Sequence, residues 1–287
     1  MITANEEAIG AWDGVLFDRF SKFRHVILPG NSVHSDAAMD RHPPPAGGRA
    51  LDIGCGFGDT TQQLAELVGP SGKVLGVDAA PRFVEAARHE ADEAGVANAR
   101  FEVADVEGSS FDEGFDYAFS RFGTMFFANP VAALRNVRTS LAPGGQLCMV
   151  VWRRKLDNPW MYRSEVAVER FVTEDEDSDE LTCGPGPFSM ANADTTTDVV
   201  LAAGFEDVSM HRSDSLMRLG DDLDEAIALV TALGPAAEVI RLAGDDADRL
   251  RPEIEAAIRE ELAEYDAGDG VCAPMSTWIV SATAPAA

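Results

Sequence analysis

Three glycines stand at alternate positions, Gly54, Gly56 and Gly58, in the stretch LDIGCGFGDTT, whose first residues are apolar. Glycine is needed where a strand turns sharply into a helix and a ligand must approach the backbone, because a Cβ would be in the way. Such a turn also offers backbone N–H groups at the start of the helix. The stretch therefore predicts a site for a nucleoside cofactor.

The carboxylates around these glycines narrow the choice of cofactor. The dinucleotide fingerprint is G-x-G-x-x-G, and Asp59 occupies the position of its third glycine, where a negative charge would lie beside a pyrophosphate. Asp52, within the same turn, favours a ligand with a cationic end. S-adenosylmethionine (SAM) carries both an ammonium and a sulfonium. Charge complementarity therefore predicts SAM rather than NAD.

Two further carboxylates follow apolar runs. Asp78 ends the run KVLGVD, 20 residues after Gly58, where a carboxylate can accept hydrogen bonds from both hydroxyls of a ribose. Asp105 ends the run ARFEVAD and is expected near the amino group of an adenine. We therefore predict that these carboxylates bind the nucleoside part of the cofactor.

The segment from Arg49 to Trp152 alternates short β-branched runs with stretches of helical period. This alternation predicts βαβ units and a parallel sheet. The predicted strands are 50–54, 73–78, 99–105, 115–122 and 146–152, and the predicted helices are 59–68, 81 to about 94 and 130 to about 142. Runs at 205–219 and 276–284 predict a sixth and a seventh strand.

Most of the rest of the chain is expected to form a lid over the small-molecule pocket. The first 48 residues contain a helical pattern around Trp12 and then the breaker RHPPPAGG, and residues 220–270 are amphipathic with helical period. We therefore divide the chain into an N-terminal helical lid segment (1–48), a cofactor-binding core (49–152) and a remainder (153–287). That remainder completes the sheet and carries helical lid insertions at about 153–194 and 220–270.

Composition excludes several function classes. The 287 residues include 49 Asp+Glu and 23 Lys+Arg, a formal net charge of -26, which repels phosphate backbones and anionic lipids. We expect a small-molecule partner, no nucleic acid and, without an apolar run of about 18 residues, no membrane span. The start lacks a signal-peptide pattern, which predicts a cytoplasmic protein. Four separated cysteines without a C-x-x-C pair predict neither a metal site nor disulfides.

From Arg49 to Trp152 the sequence resembles class I SAM-dependent methyltransferases. The resemblance is carried by LDIGCGFG, by GVD after the second strand, by AD after the third and by LAPGG before the fifth. It implies an α/β fold, a doubly wound, seven-stranded Rossmann-like sheet whose last strand is antiparallel, with the cofactor across the carboxyl ends of the first strands. The cofactor-binding residues implied are Asp52, Gly54, Cys55, Gly56, Gly58, Asp78, Ala79, Asp105, Val106 and, through its carbonyl, Ser120.

The segments SRFGTMFF (120–127) and GPGPFSMAN (184–192) more narrowly resemble bacterial methyltransferases related to the ubiquinone and menaquinone C-methyltransferases. This implies methyl transfer to a small-molecule acceptor, with a phenolic or quinone-like compound preferred. Two alternatives stay open at this point. One is a protein that binds SAM without transferring methyl, and the other is an NAD-dependent oxidoreductase on a related fold.

Methyl transfer needs few catalytic side chains, because the cofactor is already activated and the protein supplies alignment and excludes water. A base is required only if the acceptor loses a proton, and His25 and His34 are the candidates by position, although histidines in polar segments are commonly surface residues. The distant cysteines Cys148, Cys183 and Cys272 leave arsenic methylation as a minor alternative. Eight aromatic residues could line an acceptor pocket or the core: Trp12, Phe20, Phe23, Phe126, Phe127, Trp160, Tyr162 and Phe188.

Overall fold

The computed structural model of the chain describes residues 4–111, 114–172 and 185–286, so Cys183 lies outside the described residues. The strands are β1 (Arg49–Ile53), β2 (Lys73–Asp78), β3 (Ala99–Val103), β4 (Phe115–Arg121), β5 (Leu141–Trp152), β6 (Glu206–Gly220) and β7 (Val271–Thr283). The helices are α1 (Ala4–Ala11), α2 (Phe17–Lys22), α3 (Arg24–Arg41), α4 (Asp59–Val68), α5 (Pro81–Glu93), α6 (Pro130–Ser140), α7 (Pro159–Glu169), α8 (Ala193–Ala202), α9 (Leu223–Val230), α10 (Pro235–Ala243), α11 (Asp245–Arg249) and α12 (Arg251–Leu262).

The strands form one sheet in the order β3-β2-β1-β4-β5-β7-β6. Strands β1 to β5 pair in parallel, and β7 pairs antiparallel with both β5 and β6. The seven-stranded, doubly wound Rossmann-like sheet with an antiparallel last strand is therefore confirmed. The strand order reverses between β1 and β4, and a crevice at the carboxyl ends of such strands is where open α/β sheets bind ligands.

Both faces of the sheet are covered, because side chains along each strand point alternately to opposite layers. On β5, Leu147 and Met149 belong to the large core shared with α6, α7 and α12. Their neighbours Cys148 and Val150 pack instead in a second core with α3 and α4. All four side chains are fully buried, and burying a side chain such as Leu or Met stabilises the fold by about 1.5–3 kcal/mol.

Several elements differ from the sequence-based prediction, and β5, for example, begins at Leu141 rather than at 146. Strand β7 begins at Val271 rather than 276 and so contains Pro274. Residues 271–276 pair with β6 alone. The N–H of Ser276, two residues after Pro274, points away from β6 and donates to Asn158 Oδ1 at 2.8 Å, and position 274 faces the same way because strand positions alternate. Proline at 274 therefore removes no hydrogen bond from the ladder, which is the edge position where strands tolerate it.

The long helix α3 was not predicted, because Pro29 and Gly30 lie within it and both disfavour a helix interior. Tertiary packing outweighs these local preferences. Helix α3 buries Val26, Ile27 and Ala38 and packs so closely on β6 that a Cβ at Gly30 would lie 2.8 Å from Met217 Cγ. The sequence pattern around Trp12 located only the preceding helical segment.

The described residues contain neither a single helix that could span a membrane nor a metal-binding group. No single helix among them is long and apolar enough to cross a membrane, and α9 and α10 reach that threshold only together, with a bend of 64° between them. No group of three or more His, Cys, Asp or Glu side chains in these residues is placed to hold a metal ion.

Replacement of Gly58 by alanine tests the packing between the glycine-rich turn and the sheet. A Cβ there would lie 2.8 Å from Phe101 Cε1 and 2.9 Å from Ala87 Cβ, and the residue has a φ of +82°. Gly95 also has a positive φ, +69°, but a Cβ there meets nothing within 4 Å. In urea unfolding we expect Gly95→Ala to cost about 1–2 kcal/mol and Gly58→Ala about 1–3 kcal/mol more. Equal losses would contradict the close packing.

Candidate functional site

A cavity of about 800 Å³ opens at the carboxyl ends of β1, β2, β4 and β5. One side is formed by the glycine-rich turn after β1 and by the loops after β2 and β3. The other walls come from α1 to α3, from the segment after β5 with α7, from residues 185–189 and from α9 and α10. All three segments that the sequence marked as coverings thus contribute to the cavity wall.

The turn after β1 presents its backbone to the cavity. The N–H groups of Gly54 and Cys55 both donate to the carbonyl of Val77, at 2.9 and 3.0 Å, and this ties the turn to β2. Gly56 has a φ of +53°, and a Cβ there would meet nothing closer than Phe83 Cδ1 at 4.0 Å. The turn is therefore a rigid cradle whose open side faces the cavity.

Asp78 lies at the end of β2 on the edge of this cradle. Its Oδ2 accepts a hydrogen bond from the N–H of Gly56 at 3.0 Å, and its Oδ1 accepts one from the N–H of Ala80 at 2.9 Å. Burial raises the pKa of Asp78, while these backbone hydrogen bonds lower it. A carboxylate has about four lone-pair sites, so two neighbouring hydroxyl groups can still donate to it.

The loop after β3 is held by a hydrogen bond within the loop and by a side chain of α6. Asp105 Oδ1 accepts a hydrogen bond from the N–H of Glu107 at 3.0 Å. Asn136 Nδ2 donates to the carbonyls of Val106 and Glu107, at 2.9 and 2.8 Å. Both Asp105 and Val106 line the cavity, on the side of β3.

Seven of the ten predicted cofactor-binding residues line the cavity: Gly54, Cys55, Gly56, Asp78, Ala79, Asp105 and Val106. The other three, Asp52, Gly58 and Ser120, lie behind the turn and do not contribute to its lining. Gly58 is required by the packing of α4 on the sheet, and the Oγ of Ser120 donates to the carbonyl of Ile53 at 2.8 Å. These three support the cradle from below.

Asp52 is a fully buried carboxylate behind the turn. Its Oδ2 accepts hydrogen bonds from the hydroxyls of Thr60 and Thr61 at 2.7 and 2.6 Å, whereas Oδ1 has no partner among the described residues. Burial raises the pKa of Asp52 to about 6. An unpartnered carboxylate oxygen beneath the cradle fits a ligand with a cationic end, because such a ligand would offset the cost of burying the charge.

The two histidines are not where the sequence-based hypothesis needed them. The side chain of His25 is 62% exposed and its Nε2 contacts Glu225 at 2.8 Å. His34 is wholly buried between α3 and β6, where Ser213 and Ser215 contact its two ring nitrogens at 2.9 and 2.8 Å, and burial lowers its pKa to about 4. Neither histidine lines the cavity. Position along the chain does not determine which way a helical side chain faces.

Aromatic side chains form much of the wall away from the turn. Six of the eight predicted residues line the cavity: Trp12, Phe20, Phe126, Phe127, Trp160 and Phe188. Phe23 is instead in the core, and Tyr162 is on the surface. The sequence analysis missed four more that line the cavity: Phe57, Phe83, Phe122 and Trp152. Of these, Phe57 could have been found, because it lies within the glycine-rich turn.

Two ion pairs in the cavity wall join residues on different elements. Asp59, the residue that disfavoured NAD, pairs with Arg121 at 2.7 Å, and the Arg121 side chain is only 9% exposed. Lys155 pairs with Glu165, with its Nζ 2.6 and 2.5 Å from the two carboxylate oxygens. The sequence gives no signal for the second pair, because its partners lie on different elements.

The described cysteines offer no reactive site. Cys55, Cys148 and Cys272 are free thiols in separate parts of the fold, and the first two are buried. Burial raises the pKa of Cys55 well above its usual range and that of Cys148 to about 12, so both stay protonated. Because the nucleophile is the thiolate, arsenic methylation gains no support from these residues.

Residues 45–198, more than half of the chain, match the family described as "Methyltransferase domain". The chain belongs to this family and is a class I SAM-dependent methyltransferase by fold, motifs and relatives. This membership overturns the alternative of an NAD-dependent oxidoreductase. SAM is the cofactor of the family, and the open cradle, Asp78 and the unpartnered Oδ1 of Asp52 fit it.

Curated relatives are similar over parts of the chain. Aklanonic acid methyltransferase DauC from Streptomyces sp. (strain C5) is 38% identical over 110 residues, which are 38% of this chain and 50% of that protein. Ubiquinone/menaquinone biosynthesis C-methyltransferase UbiE from Azotobacter vinelandii is 31% identical over 179 residues, 58% of this chain and 68% of that protein. The alignment thus spans half the length of DauC.

A solved structure shows the same fold over nearly the whole chain. Phosphoethanolamine N-methyltransferase 2 from Haemonchus contortus, in complex with phosphomonomethylethanolamine and S-adenosylhomocysteine, superimposes with a TM-score of 0.57. The match covers 99% of this chain and 61% of that one at 15% identity. At this identity the likeness concerns the fold alone.

Asp52 predicts a particular pH dependence of stability. Its pKa is raised from 3.8 to about 6, so its stabilising contribution is full below pH 3.8 and is lost as the pH rises through 6. The pI is about 4.4, so the comparison is made above pH 5. Between pH 5 and pH 7.5, wild type should lose about 1 kcal/mol of unfolding free energy relative to Asp52→Asn. Urea unfolding of both proteins measures it, and parallel pH profiles would contradict the assignment.

Proposed function

We propose that the chain transfers the methyl group of SAM to an apolar aromatic acceptor, a phenolic or quinone-like compound, inside this cavity. The observation that carries the proposal is the division of the cavity. The cradle, Asp78 and Asp105 lie on the side of β1 to β3, together with the rings of Phe57 and Phe83. Aromatic side chains that follow β4 and β5 line the other side: Phe122, Phe126, Phe127, Trp152 and Trp160. Rigid aromatic side chains supply large contact areas for flat apolar molecules.

Bound SAM would supply an electrophilic methyl group, so the task of the chain is to bind and to align. We assign the methionine part to the cradle with Asp52, Gly58 and Ser120 behind it, the ribose to Asp78 with Ala79 beside it, and the adenine to Asp105 and Val106. The walls exclude water from the reacting groups. Holding two reactants in line contributes several kcal/mol to catalysis in general.

The covering segments belong to the same proposal. We assign a lid role to residues 1–48, to the insertion at about 153–194 and to residues 220–270, because the described parts of all three line the cavity. Their side chains then determine the acceptor, since this fold accepts carbon, oxygen and nitrogen acceptors alike. The name of one relative, a ubiquinone/menaquinone biosynthesis C-methyltransferase, agrees with a quinone-like compound.

Some expectations stay predictions. The exclusion of nucleic acid, which is based on the net charge of -26, and the cytoplasmic location are expectations from the sequence alone. The alternative of a SAM-binding protein without methyl transfer makes a different prediction, because such a protein would release no S-adenosylhomocysteine with any acceptor.

Turnover with a small panel of acceptors tests the proposal. The purified chain is incubated with SAM and with 1,4-naphthalenediol, alizarin or phosphoethanolamine, and released S-adenosylhomocysteine is quantified. We expect release with at least one hydroxylated polycycle and none with phosphoethanolamine. Phosphoethanolamine is a small polar zwitterion with a net negative charge, so it gains neither from an aromatic surface nor from a protein of net charge -26. Release with phosphoethanolamine but with neither polycycle would contradict the proposed acceptor class. The absence of release with all three compounds would also contradict it.

A further inference from the structure

We propose that Lys155 and Glu165 activate the acceptor: Glu165 takes the proton of a phenolic hydroxyl, and Lys155 holds the resulting oxyanion. This inference rests on the proposed function and deepens it. Lys155 begins a short 3-10 turn after β5, and Glu165 lies on α7. Both side chains line the cavity.

The sheet order places this pair on the acceptor side. The cradle follows β1, and the nucleoside residues follow β2 and β3, on one side of β1. Lys155 follows β5, which lies two strands from β1 in the opposite direction, and neighbouring strands are about 4.8 Å apart. The pair is therefore separated from the nucleoside residues by the width of the crevice.

The surroundings of the pair are apolar and aromatic. The Lys155 Nζ lies 5.8 Å from the centre of the Phe188 ring, and Trp160 and Met161 line the same part of the cavity. The side chains of Lys155 and Glu165 are 35% and 13% exposed. Withdrawing two charges from water into such a wall is costly, and an apolar pair of similar size would serve stability equally well.

The hydrogen bonding of the pair also differs from that of Asp78, Asp105 and Arg121 in the same cavity. Asp78 and Asp105 are fixed by backbone N–H groups, and Arg121 joins Asp59 to the Ser35 hydroxyl. The hydrogen bonds found for Lys155 and Glu165 side chains within the described residues are only to each other. A hydroxyl group inserted between them would give each a new partner.

The proposed chemistry balances without a further reactant. The acceptor O–H bond breaks, its proton goes to the Glu165 carboxylate, and the oxyanion stays beside the Lys155 ammonium. The oxygen then bonds to the methyl carbon, while the bond of that carbon to sulfur breaks and leaves its electron pair on sulfur. For a carbon acceptor, a ring carbon conjugated with the oxyanion forms the bond instead, and its proton then moves to the oxygen.

Alizarin tests the role of Lys155, because ionisation of its hydroxyl shifts its absorption to longer wavelength. Alizarin is bound to protein saturated with S-adenosylhomocysteine, at a pH below the first pKa of the free dye. We expect the bound dye to be ionised in wild type and in Lys155→Arg, but neutral in Lys155→Met. The matched control is Lys73→Met, since Lys73 is an exposed lysine at the start of β2 that does not line the cavity.

Glu165→Gln separates a base from a structural partner. The bound dye should remain ionised, because its acidic hydroxyl can lose its proton to solvent and Lys155 is still present to hold the oxyanion. The hydroxyl of 1,4-naphthalenediol is a much weaker acid and needs the base in each turnover, so kcat with this acceptor should fall at least about a hundredfold with KM changed less than threefold. An ionised dye in Lys155→Met, a neutral dye in wild type, or an unchanged kcat in Glu165→Gln would overturn the proposal, as would failure of the dye to bind. Absence of S-adenosylhomocysteine binding to wild type, measured by calorimetry, would instead indicate failure of the proposed function.

Discussion

The hydrogen bond from the N–H of Gly56 to the carboxylate of Asp78 is the contact on which the site depends. It joins the turn after β1 to the end of β2, and the bonds from Gly54 and Cys55 to Val77 reinforce the same junction. The open backbone of the turn and the Asp78 carboxylate, which we assign to the ribose, are thus held in one rigid unit. Such rigidity allows a ligand to be aligned without a cost of reorganisation.

Much of this unit could be predicted from the sequence because its signals are local. Strand β2 and helix α4 have the predicted bounds, and Asp78 ends β2, 20 residues after Gly58. The pattern also identified Asp52, but its side chain lies behind the turn rather than in it. Alternation and spacing locate an element and its ends, whereas the direction of a buried side chain depends on what packs around it.

The proposed acceptor side could be predicted only in part, because several aromatic residues were identified but their arrangement depends on contacts between different elements. Helix α3 forms against β6 in spite of Pro29, and its packing turns His34 into a buried side chain away from the cavity. Lys155 and Glu165, ten residues apart, meet because the 3-10 turn after β5 contacts α7. Fold and cofactor are thus determined by local patterns, and acceptor choice by tertiary contacts.

The most direct test of the central claim is calorimetric titration of wild type and Asp78→Asn with SAM, S-adenosylhomocysteine and NAD. We expect wild type to bind the first two in the micromolar range and not to bind NAD. Each lost hydrogen bond to the carboxylate is worth about 1.5–3 kcal/mol, so Asp78→Asn should bind SAM at least about tenfold more weakly. Binding of NAD, or equal affinity of both proteins for SAM, would contradict the account.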